Sequence, residues 1–202
     1  MLPKLPSPSK ASEFRPVSCC SVIYKCITKL ICSRLNEALP KLIHHNQSVF
    51  VKGREILHSI LICQDLISGY SRQGISPQSI LKLDLQKAFD SVHWGFLREL
   101  LTSLKFPTLF VRWIIACLSS VTFTVNINWQ KQGGFKGGRG LKQGDPLSPL
   151  LFGLTMEYFT RLMLHAVNHP DFKFHPHCKE LRLNHLMFAD DVVIFSKAHP
   201  PH

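Results

Sequence analysis

The chain has 202 residues and a mass of 23.0 kDa, which corresponds to one ordinary domain or to one domain with a small satellite. Its 45% hydrophobic and 10% aromatic residues exclude a disordered tail or a low-complexity polymer. Lys and Arg total 24 against 13 Asp and Glu, so the formal charge is +11 and the expected partner is a polyanion, with nucleic acid as the first candidate.

The first half of the chain predicts two helices and a strand. Over Ser21–Leu39 apolar residues recur every three or four positions, which predicts an amphipathic helix that Pro40 ends. A second helix is predicted over Glu55–Tyr70. In Ser79–Leu85, leucines alternate with Lys82 and Asp84, and this pattern is typical of a strand.

The second half mixes helices and strands without regular βαβ alternation. Helices are predicted over 94–104, 108–119 and 148–166, and clean alternation over Val121–Asn128 predicts a half-buried strand. The glycines that follow are expected to interrupt regular structure. Two apolar runs, Leu183–Ala189 and Val192–Lys197, flank an acidic pair and predict a hairpin. The fold class that follows is α+β.

The cysteines and the termini favour an intracellular protein. The seven cysteines form no C-x-x-C pair, so they provide no zinc site, and an odd number without an export signal indicates reduced thiols. The first ten residues lack the apolar stretch of a secretory signal, and no run is long enough for a membrane span. We therefore expect a nuclear or cytoplasmic location, no membrane association and no disulfide-linked partner.

Three acidic residues stand in apolar surroundings. Asp84 lies within the predicted strand, and Asp190 and Asp191 are adjacent at the predicted hairpin tip. Neighbouring carboxylates repel one another and lose hydration, and a divalent cation removes that penalty. Two metals about 3.5–4 Å apart are a known arrangement for phosphoryl chemistry. An acidic pair in a turn is also ordinary turn chemistry, so the pair alone leaves both interpretations open.

Five blocks in order resemble the motifs of reverse transcriptases, and their wording is similar to that of non-LTR (LINE-type) retrotransposons of the kind found in plants. The blocks are Phe14–Lys25, Gln47–Arg54, Leu83–Trp94, Gly138–Phe152 and Phe188–Asp191. The resemblance covers residues 12–197. It implies a right-hand polymerase with residues 1–13 as a linker or disordered segment, 14–78 as a helical fingers-like part and 79–202 as an incomplete palm. That palm would be a small antiparallel sheet backed by helices. The chain ends soon after the last block, so we expect a truncated domain without a thumb.

The resemblance also implies roles for single residues. Asp84, Asp190 and Asp191 would be the catalytic, metal-binding carboxylates, holding two Mg²⁺ ions for which Mn²⁺ could substitute. A second group would bind the incoming dNTP, with Phe89 as the steric gate against ribose: Phe89, Gln143, Gly144, Arg54 and Lys52. Apart from the resemblance, five further cations are candidates for contacts with the backbone of an RNA template and a DNA primer: Lys25, Lys29, Arg34, Lys136 and Arg139.

Three functions remain open from the sequence. The first is RNA-directed DNA polymerase activity. The second is nucleic-acid binding by a catalytically inactive remnant. The third is a different metal-dependent phosphotransferase or nuclease, which would leave the Gln143-Gly144 pair unexplained.

Overall fold

The computed structural model describes residues 2–3, 6–10, 13–15, 17–48, 50–68, 77–127 and 130–198. The described residues form the helices α1 (Val22–Leu42), α2 (Ile56–Ser68), α3 (Ala88–Ser91), α4 (Trp94–Ser103), α5 (Thr108–Ser119) and α6 (Leu147–Ala166), with a short 3₁₀ helix at Pro176–Cys178. They also form the strands β1 (Leu2–Pro3), β2 (Phe14–Arg15), β3 (Gln78–Asp84), β4 (Thr122–Ile127), β5 (Gln130–Lys136), β6 (His185–Phe188) and β7 (Asp191–Lys197). This mixture confirms the predicted α+β class.

The chain forms two compact units, and each is discontinuous in sequence. Unit 1 comprises Met1–Leu35 and Lys87–Phe152, and unit 2 comprises Asn36–Gln86 and Gly153–His202. The division into residues 1–13, 14–78 and 79–202 stays a prediction.

Unit 1 contains two small antiparallel sheets and the helices α4 and α5, which pack against each other. β1 pairs with β2, and β4 pairs with β5. Large side chains from α4, α5 and the first turns of α6 are fully buried: Leu97, Leu101, Ile114, Leu118, Leu147 and Leu151. The buried stripes of α4 and α5 follow the helical repeat on which their prediction was based.

Unit 2 is built around one three-stranded antiparallel sheet in the order β3-β7-β6. Its core lies where α2 and the sheet contribute Leu66, Leu186 and Phe195, together with Cys178 of the 3₁₀ helix. Beside β6, Gln47 forms a parallel bridge with Met187, whose amide donates to the carbonyl of Asn46 at 2.9 Å. The predicted hairpin is confirmed, since β6 and β7 pair. Its tip differs from the prediction, because the two-residue turn is Ala189-Asp190 and Asp191 already belongs to β7.

Two local predictions are wrong. Pro40 does not end α1, which continues to Leu42, and Ile43 still donates its amide to Leu39 at 2.9 Å. A proline one turn from a helix end removes a single intrahelical donor, so the helix closes around it. The glycine-rich segment forms β5, because an extra residue on β5 between the pairs Phe123–Phe135 and Val125–Gln132 is accommodated by Gly133 at φ 62°.

In two elements, α1 and β3, some of the apolar residues that the sequence pattern assigns to the buried face are exposed. On α1, Leu35 and Leu39 are buried, but Val22, Ile23 and Leu30 are more than 70% exposed. On β3, which is one of the two outer strands of its sheet, Leu81 is 51% exposed although the alternation predicted it to be buried. Of the predicted element ends and motif residues, Pro16, Val49, Tyr70 and Asn128 lie outside the described residues.

Candidate active site

Two of the three predicted catalytic residues, Asp84 and Asp191, face each other on the sheet of unit 2, and the third, Asp190, lies in the adjoining turn. Asp84 is the register partner of Asp191, and Leu85 donates its amide to the carbonyl of Asp190 at 3.4 Å. A ladder bond on the residues flanking the pair makes Asp84 and Asp191 a non-hydrogen-bonded pair, the type in which opposing side chains approach most closely. Both carboxylates therefore project from the same face of the sheet, and Asp190 stands beside them in the turn.

The hairpin that carries this acidic pair has an unusual backbone. Ala189, the first residue of the two-residue turn, has φ 56°. Hairpin turns of this length need a positive φ at their first central position, which glycine adopts without penalty and alanine does not. Strand pairing on both sides of β7 holds the turn in place. Asp191 is paired with Phe188 of β6 on one side and with Asp84 of β3 on the other.

The charges at this site are only partly compensated. The Lys82 ammonium lies 3.2 Å from Asp191 Oδ1, and both side chains are substantially exposed. An exposed ion pair of this kind contributes roughly 0–1 kcal/mol. Like charges directly opposite each other on a sheet are unfavourable, so Asp84 and Asp191 would gain from a further cation.

The donor chemistry of this pair suits Mg²⁺, which prefers carboxylate oxygens and retains several waters. Two facing carboxylates on adjacent strands supply that type of ligand. Within the part of the chain that the structure describes, no group of three or more His, Cys, Asp or Glu side chains is gathered closely enough to hold a metal. The sheet thus provides an acidic pair with Asp190 beside it, rather than a closed metal cage.

In unit 1 the structure brings two of the sequence motifs together. Leu141 donates its amide to the carbonyl of Phe89, and Gly140 donates to Val92, both at 2.8 Å. The indole Nε1 of Trp94 also donates a hydrogen bond to the Gly140 carbonyl at 2.8 Å. Gly140 has φ 89°, and a Cβ on it would lie 3.0 Å from the Asp90 carbonyl oxygen, so this close approach requires glycine.

Phe89 is half-buried and stacks on Phe152. The ring centroids are 4.5 Å apart and the planes are inclined by 16°. Offset-stacked aromatic rings stabilise one another beyond the area they bury. This contact restricts the rotamers of Phe89, as a steric gate would require.

Gln143 and Gly144 occupy the exposed tip of a tight turn. Asp145 donates its amide to the Lys142 carbonyl at 3.3 Å, which closes the turn around the two tip residues. Gly144 has φ 103°, as the third position of a type II turn demands. The turn is packed on the N-terminal segment, since Ser18 donates its amide to the Gln143 carbonyl at 2.8 Å and a Cβ on Gly144 would lie 2.8 Å from the Ser18 oxygen.

A buried polar network beside this turn was not predicted. Tyr24 Oη donates to Asp145 Oδ2 at 2.7 Å and accepts from Lys142 Nζ at 2.8 Å. Lys142 Nζ also donates to the Cys117 carbonyl at 2.9 Å and lies 4.3 Å from the centroid of the Tyr24 ring. Burial lowers the pKa of Lys142, and Asp145 opposes that shift. Because 121 residues separate Tyr24 from Asp145, no local pattern signals the contact.

Arg54 and Lys52 differ in their surroundings, although both belong to the same motif. The Arg54 guanidinium donates to the carbonyls of Ile43, His44 and Gln47 at 2.6–2.7 Å. Lys52 is exposed. Both side chains line a cavity of about 380 Å³ in unit 2. Arg54 therefore holds the loop after α1, while the Lys52 ammonium faces solvent.

The five predicted nucleic-acid contacts, Lys25, Lys29, Arg34, Lys136 and Arg139, are all exposed and all belong to unit 1. Exposed cations of this kind can provide sequence-independent affinity for phosphates.

Comparison with known proteins decides the family. The family of reverse transcriptases (RNA-dependent DNA polymerases) matches residues 3–202. The chain belongs to the reverse transcriptase family. This confirms the family suggested by the five sequence blocks.

The relatives of this reverse transcriptase chain include retrotransposon proteins. It is 34% identical over 202 residues to the transposon TX1 uncharacterized 149 kDa protein of Xenopus laevis, covering 98% of this chain and 15% of that protein. It is 27% identical over 199 residues to the Pol polyprotein of the type-2 retrotransposable element R2DM of Drosophila melanogaster, covering 97% and 18%. The chain therefore spans less than a fifth of the length of these relatives.

Solved telomerase structures have the same fold. The telomerase of Candida tropicalis aligns with a TM-score of 0.55 and 12% identity, covering 85% of this chain and 28% of that chain. The telomerase of Candida albicans aligns with a TM-score of 0.56 and 11% identity, covering 85% and 30%. At this identity the likeness establishes the polymerase fingers–palm fold alone.

Among the described helices of this reverse transcriptase domain, none is both long and apolar enough to cross a membrane.

Proposed function

We propose that the domain catalyses RNA-directed DNA synthesis, as part of a non-LTR retrotransposon polymerase. The observation that carries the proposal is the pairing of Asp84 with Asp191 on adjacent strands, with Asp190 in the turn beside them. Membership of the reverse transcriptase family supplies the reaction class. A plant source for the element stays a prediction.

In this reaction the primer 3′-oxygen forms a bond to the α-phosphorus of a dNTP, and the bond to the pyrophosphate leaving group breaks. Reverse transcriptases generally use divalent metals such as Mg²⁺, and ions held by Asp84, Asp190 and Asp191 would favour the ionised 3′-oxygen and neutralise the leaving group. The protein's own contribution is to align the reactants and to stabilise developing charge.

The geometry of individual residues supports the dNTP roles that we propose for them. The stacked ring of Phe89 would lie against the sugar and exclude a 2′-hydroxyl. Gln143 offers an amide donor and acceptor from an exposed turn, and Gly144 at φ 103° lets that turn lie against Ser18 with its tip exposed to the nucleotide. Lys52 would attract the triphosphate as a point charge, whereas Arg54 would act chiefly by holding the loop between α1 and α2 in which Lys52 lies.

The template and primer would be held through phosphate contacts. The five exposed cations of unit 1 would provide affinity that falls as salt concentration rises. An RNA template and a DNA primer are the partners that this reaction requires.

The test is primer extension on an RNA template with dNTPs and Mg²⁺. Asp84→Asn and Asp190→Asn keep side-chain shape and remove charge, and each should lower extension by about 100-fold or more. Asp171→Asn is the matched control, since Asp171 is an exposed aspartate of unit 2 that contacts only His169 among the ion pairs described. Extension that survives both site variants would refute the proposal.

Nucleic-acid binding without synthesis is the second candidate. It is favoured by the net charge of +11 and by the five exposed cations of unit 1, which can bind phosphates without any catalysis. Salt-dependent binding of a primer–template duplex by a chain that extends no primer would support this candidate. Cleavage without synthesis would instead indicate a nuclease.

A further inference from the structure

The turn that presents Gln143 and Gly144 is anchored at both of its ends by buried side chains, while its exposed tip contacts the backbone of Ser18. Lys142, its first residue, and Asp145, its last, are buried, with 6% and 2% of their surface exposed. Gln143 and Gly144 between them are exposed. Charged side chains at the two ends of an exposed turn are ordinarily solvated, so their burial calls for an explanation.

Tyr24 links these two buried charges. Its hydroxyl accepts from the Lys142 ammonium at 2.8 Å and donates to the Asp145 carboxylate at 2.7 Å. A single hydroxyl group thus connects the side chain of the first residue of the turn to that of the last by two hydrogen bonds. Hydrogen bonds to charged groups in buried surroundings are stronger than those between neutral groups.

Two helix ends complete the network. Lys142 donates to the carbonyl of Cys117 in the last turn of α5, where carbonyls lack intrahelical partners and a cation is favoured. Asp145 Oδ1 accepts from the amide of Leu147, the first residue of α6, where an anion is favoured. The turn is therefore fixed to α5 and α6 as well as to α1, which carries Tyr24.

We propose that Tyr24 is a positioning residue that, through Lys142 and Asp145, holds the Gln143-Gly144 turn in the geometry needed to contact the incoming nucleotide. The inference rests on the proposed function, because it assigns the nucleotide contact to this turn. Tyr24 itself touches neither reacting atoms nor nucleotide. Its role is to make the tip rigid before a nucleotide arrives.

The key variant is Tyr24→Phe, which keeps the ring against Lys142 and removes only the hydroxyl. Lys142 and Asp145 then each lose a hydrogen-bond partner inside the protein, which is unfavourable for both charges. The turn should open more often. Tyr158→Phe is the matched control, since Tyr158 belongs to unit 2 whereas Tyr24, Lys142 and Asp145 belong to unit 1.

Two measurements on the 202-residue chain test the proposal. The first is hydrogen exchange of the Ser18, Asp145 and Leu147 amides, whose acceptors all belong to this turn. We expect Tyr24→Phe to accelerate their exchange about tenfold, which corresponds to about 1.4 kcal/mol, with little change in α4. The second is steady-state primer extension, in which the KM for dNTP should rise three- to tenfold while kcat falls less than twofold.

The outcomes separate this proposal from the proposed function. Unchanged exchange in Tyr24→Phe overturns the positioning role whether or not the wild-type chain extends primers. Faster exchange with an unchanged KM in an active enzyme also overturns it, because the turn would then be loosened without effect on nucleotide binding. If the wild-type chain extends no primer, the proposed function fails. The affinity for a fluorescent dNTP analogue is then measured in place of the KM. Equal affinity in wild type and Tyr24→Phe overturns the positioning role.

A conservative series guards against general misfolding. Asp145→Asn retains an oxygen that can accept from Tyr24, so it should fall between wild type and Asp145→Ala in both measurements. A graded response across wild type, Asn and Ala supports the network. Equal defects in Asn and Ala would overturn the role of the Tyr24 hydrogen bond.

Discussion

Asp84 on β3 lies directly opposite Asp191 on β7, in a non-hydrogen-bonded pair that brings two carboxylates together on one face of the sheet. Lys82 reaches Asp191 at 3.2 Å and compensates one of the two charges. The arrangement is electrostatically unfavourable without a further cation. A cation bound between the two carboxylates would therefore stabilise the sheet.

Removing one of these charges should stabilise the metal-free protein. Asp84→Asn relieves the cross-strand repulsion and should raise the free energy of unfolding by about 0.5 kcal/mol, or the Tm by about 1–2 °C. Millimolar Mg²⁺ should raise the Tm of wild type and leave that of the variant unchanged, because the ligand pair is incomplete. Calorimetry with and without Mg²⁺ checks this, with Asp171→Asn as control. A lower Tm for metal-free Asp84→Asn would contradict the repulsion.

Gly144 should tolerate no side chain. At φ 103° and with a Cβ only 2.8 Å from the Ser18 oxygen, Gly144→Ala should lower the free energy of unfolding by about 1–3 kcal/mol. Gly138→Ala is the matched control, because a Cβ there meets nothing within 4 Å, and it should change stability by about 0.5 kcal/mol or less. Urea unfolding measures both. Equal effects would show that the turn adjusts freely.

Phe89 should control the choice of sugar. Phe89→Val removes the ring that stacks on Phe152 and should increase the relative use of rNTPs by about tenfold or more, because the ring would no longer exclude the 2′-hydroxyl. The measurement is kcat/KM for dNTP against rNTP. Phe106→Val also removes a stacked ring of unit 1 and should leave the ratio unchanged. A ratio that is the same in all three proteins would remove the steric-gate assignment.

Acid should destabilise unit 2 through His185. Burial lowers the pKa of His185 to about 4, with His44 contributing, while its ring pairs with Asn46, Asn184 and Thr160. Between pH 6.5 and 4 the unfolded chain binds a proton that the folded chain does not, so stability is full near neutral pH and falls as pH is lowered through this window. The loss at pH 5 should be about 2 kcal/mol.

The measurement is urea unfolding between pH 7.5 and 4.5. His185→Gln should flatten the dependence, although it lowers stability at neutral pH. His165→Gln serves as control at an exposed position. A pH dependence as steep in His185→Gln as in wild type would show that other groups dominate.

Substitutions of Arg54 and Lys52 should have different effects on the free energy of unfolding. Arg54→Met leaves the carbonyls of Ile43, His44 and Gln47 without their donor and should lower the free energy of unfolding by about 2–4 kcal/mol. Lys52→Met should change it by about 0.5 kcal/mol or less and should raise the KM for dNTP. Thermal unfolding and primer extension distinguish the two. Equal stability of both variants would contradict the structural role of Arg54.

Much of the local structure could be predicted because it depends on residues close in sequence. The 3.6-residue repeats of α4 and α5 and the apolar runs around Asp190-Asp191 each indicate an element directly. Pro40 and the glycines near Gly133 misled because their effect depends on context. A proline in the last helical turn and a glycine in a bulge are both compatible with regular structure.

The sequence by itself determined the family, the α+β class and the identity of the acidic residues, because these depend on residue types in a fixed order. Only the tertiary structure decided that Asp84 faces Asp191, that Arg54 is committed to three carbonyls and that Tyr24 joins Lys142 to Asp145. Such contacts join residues up to 121 positions apart. Their geometry follows from strand register and side-chain packing, and no local periodicity encodes either.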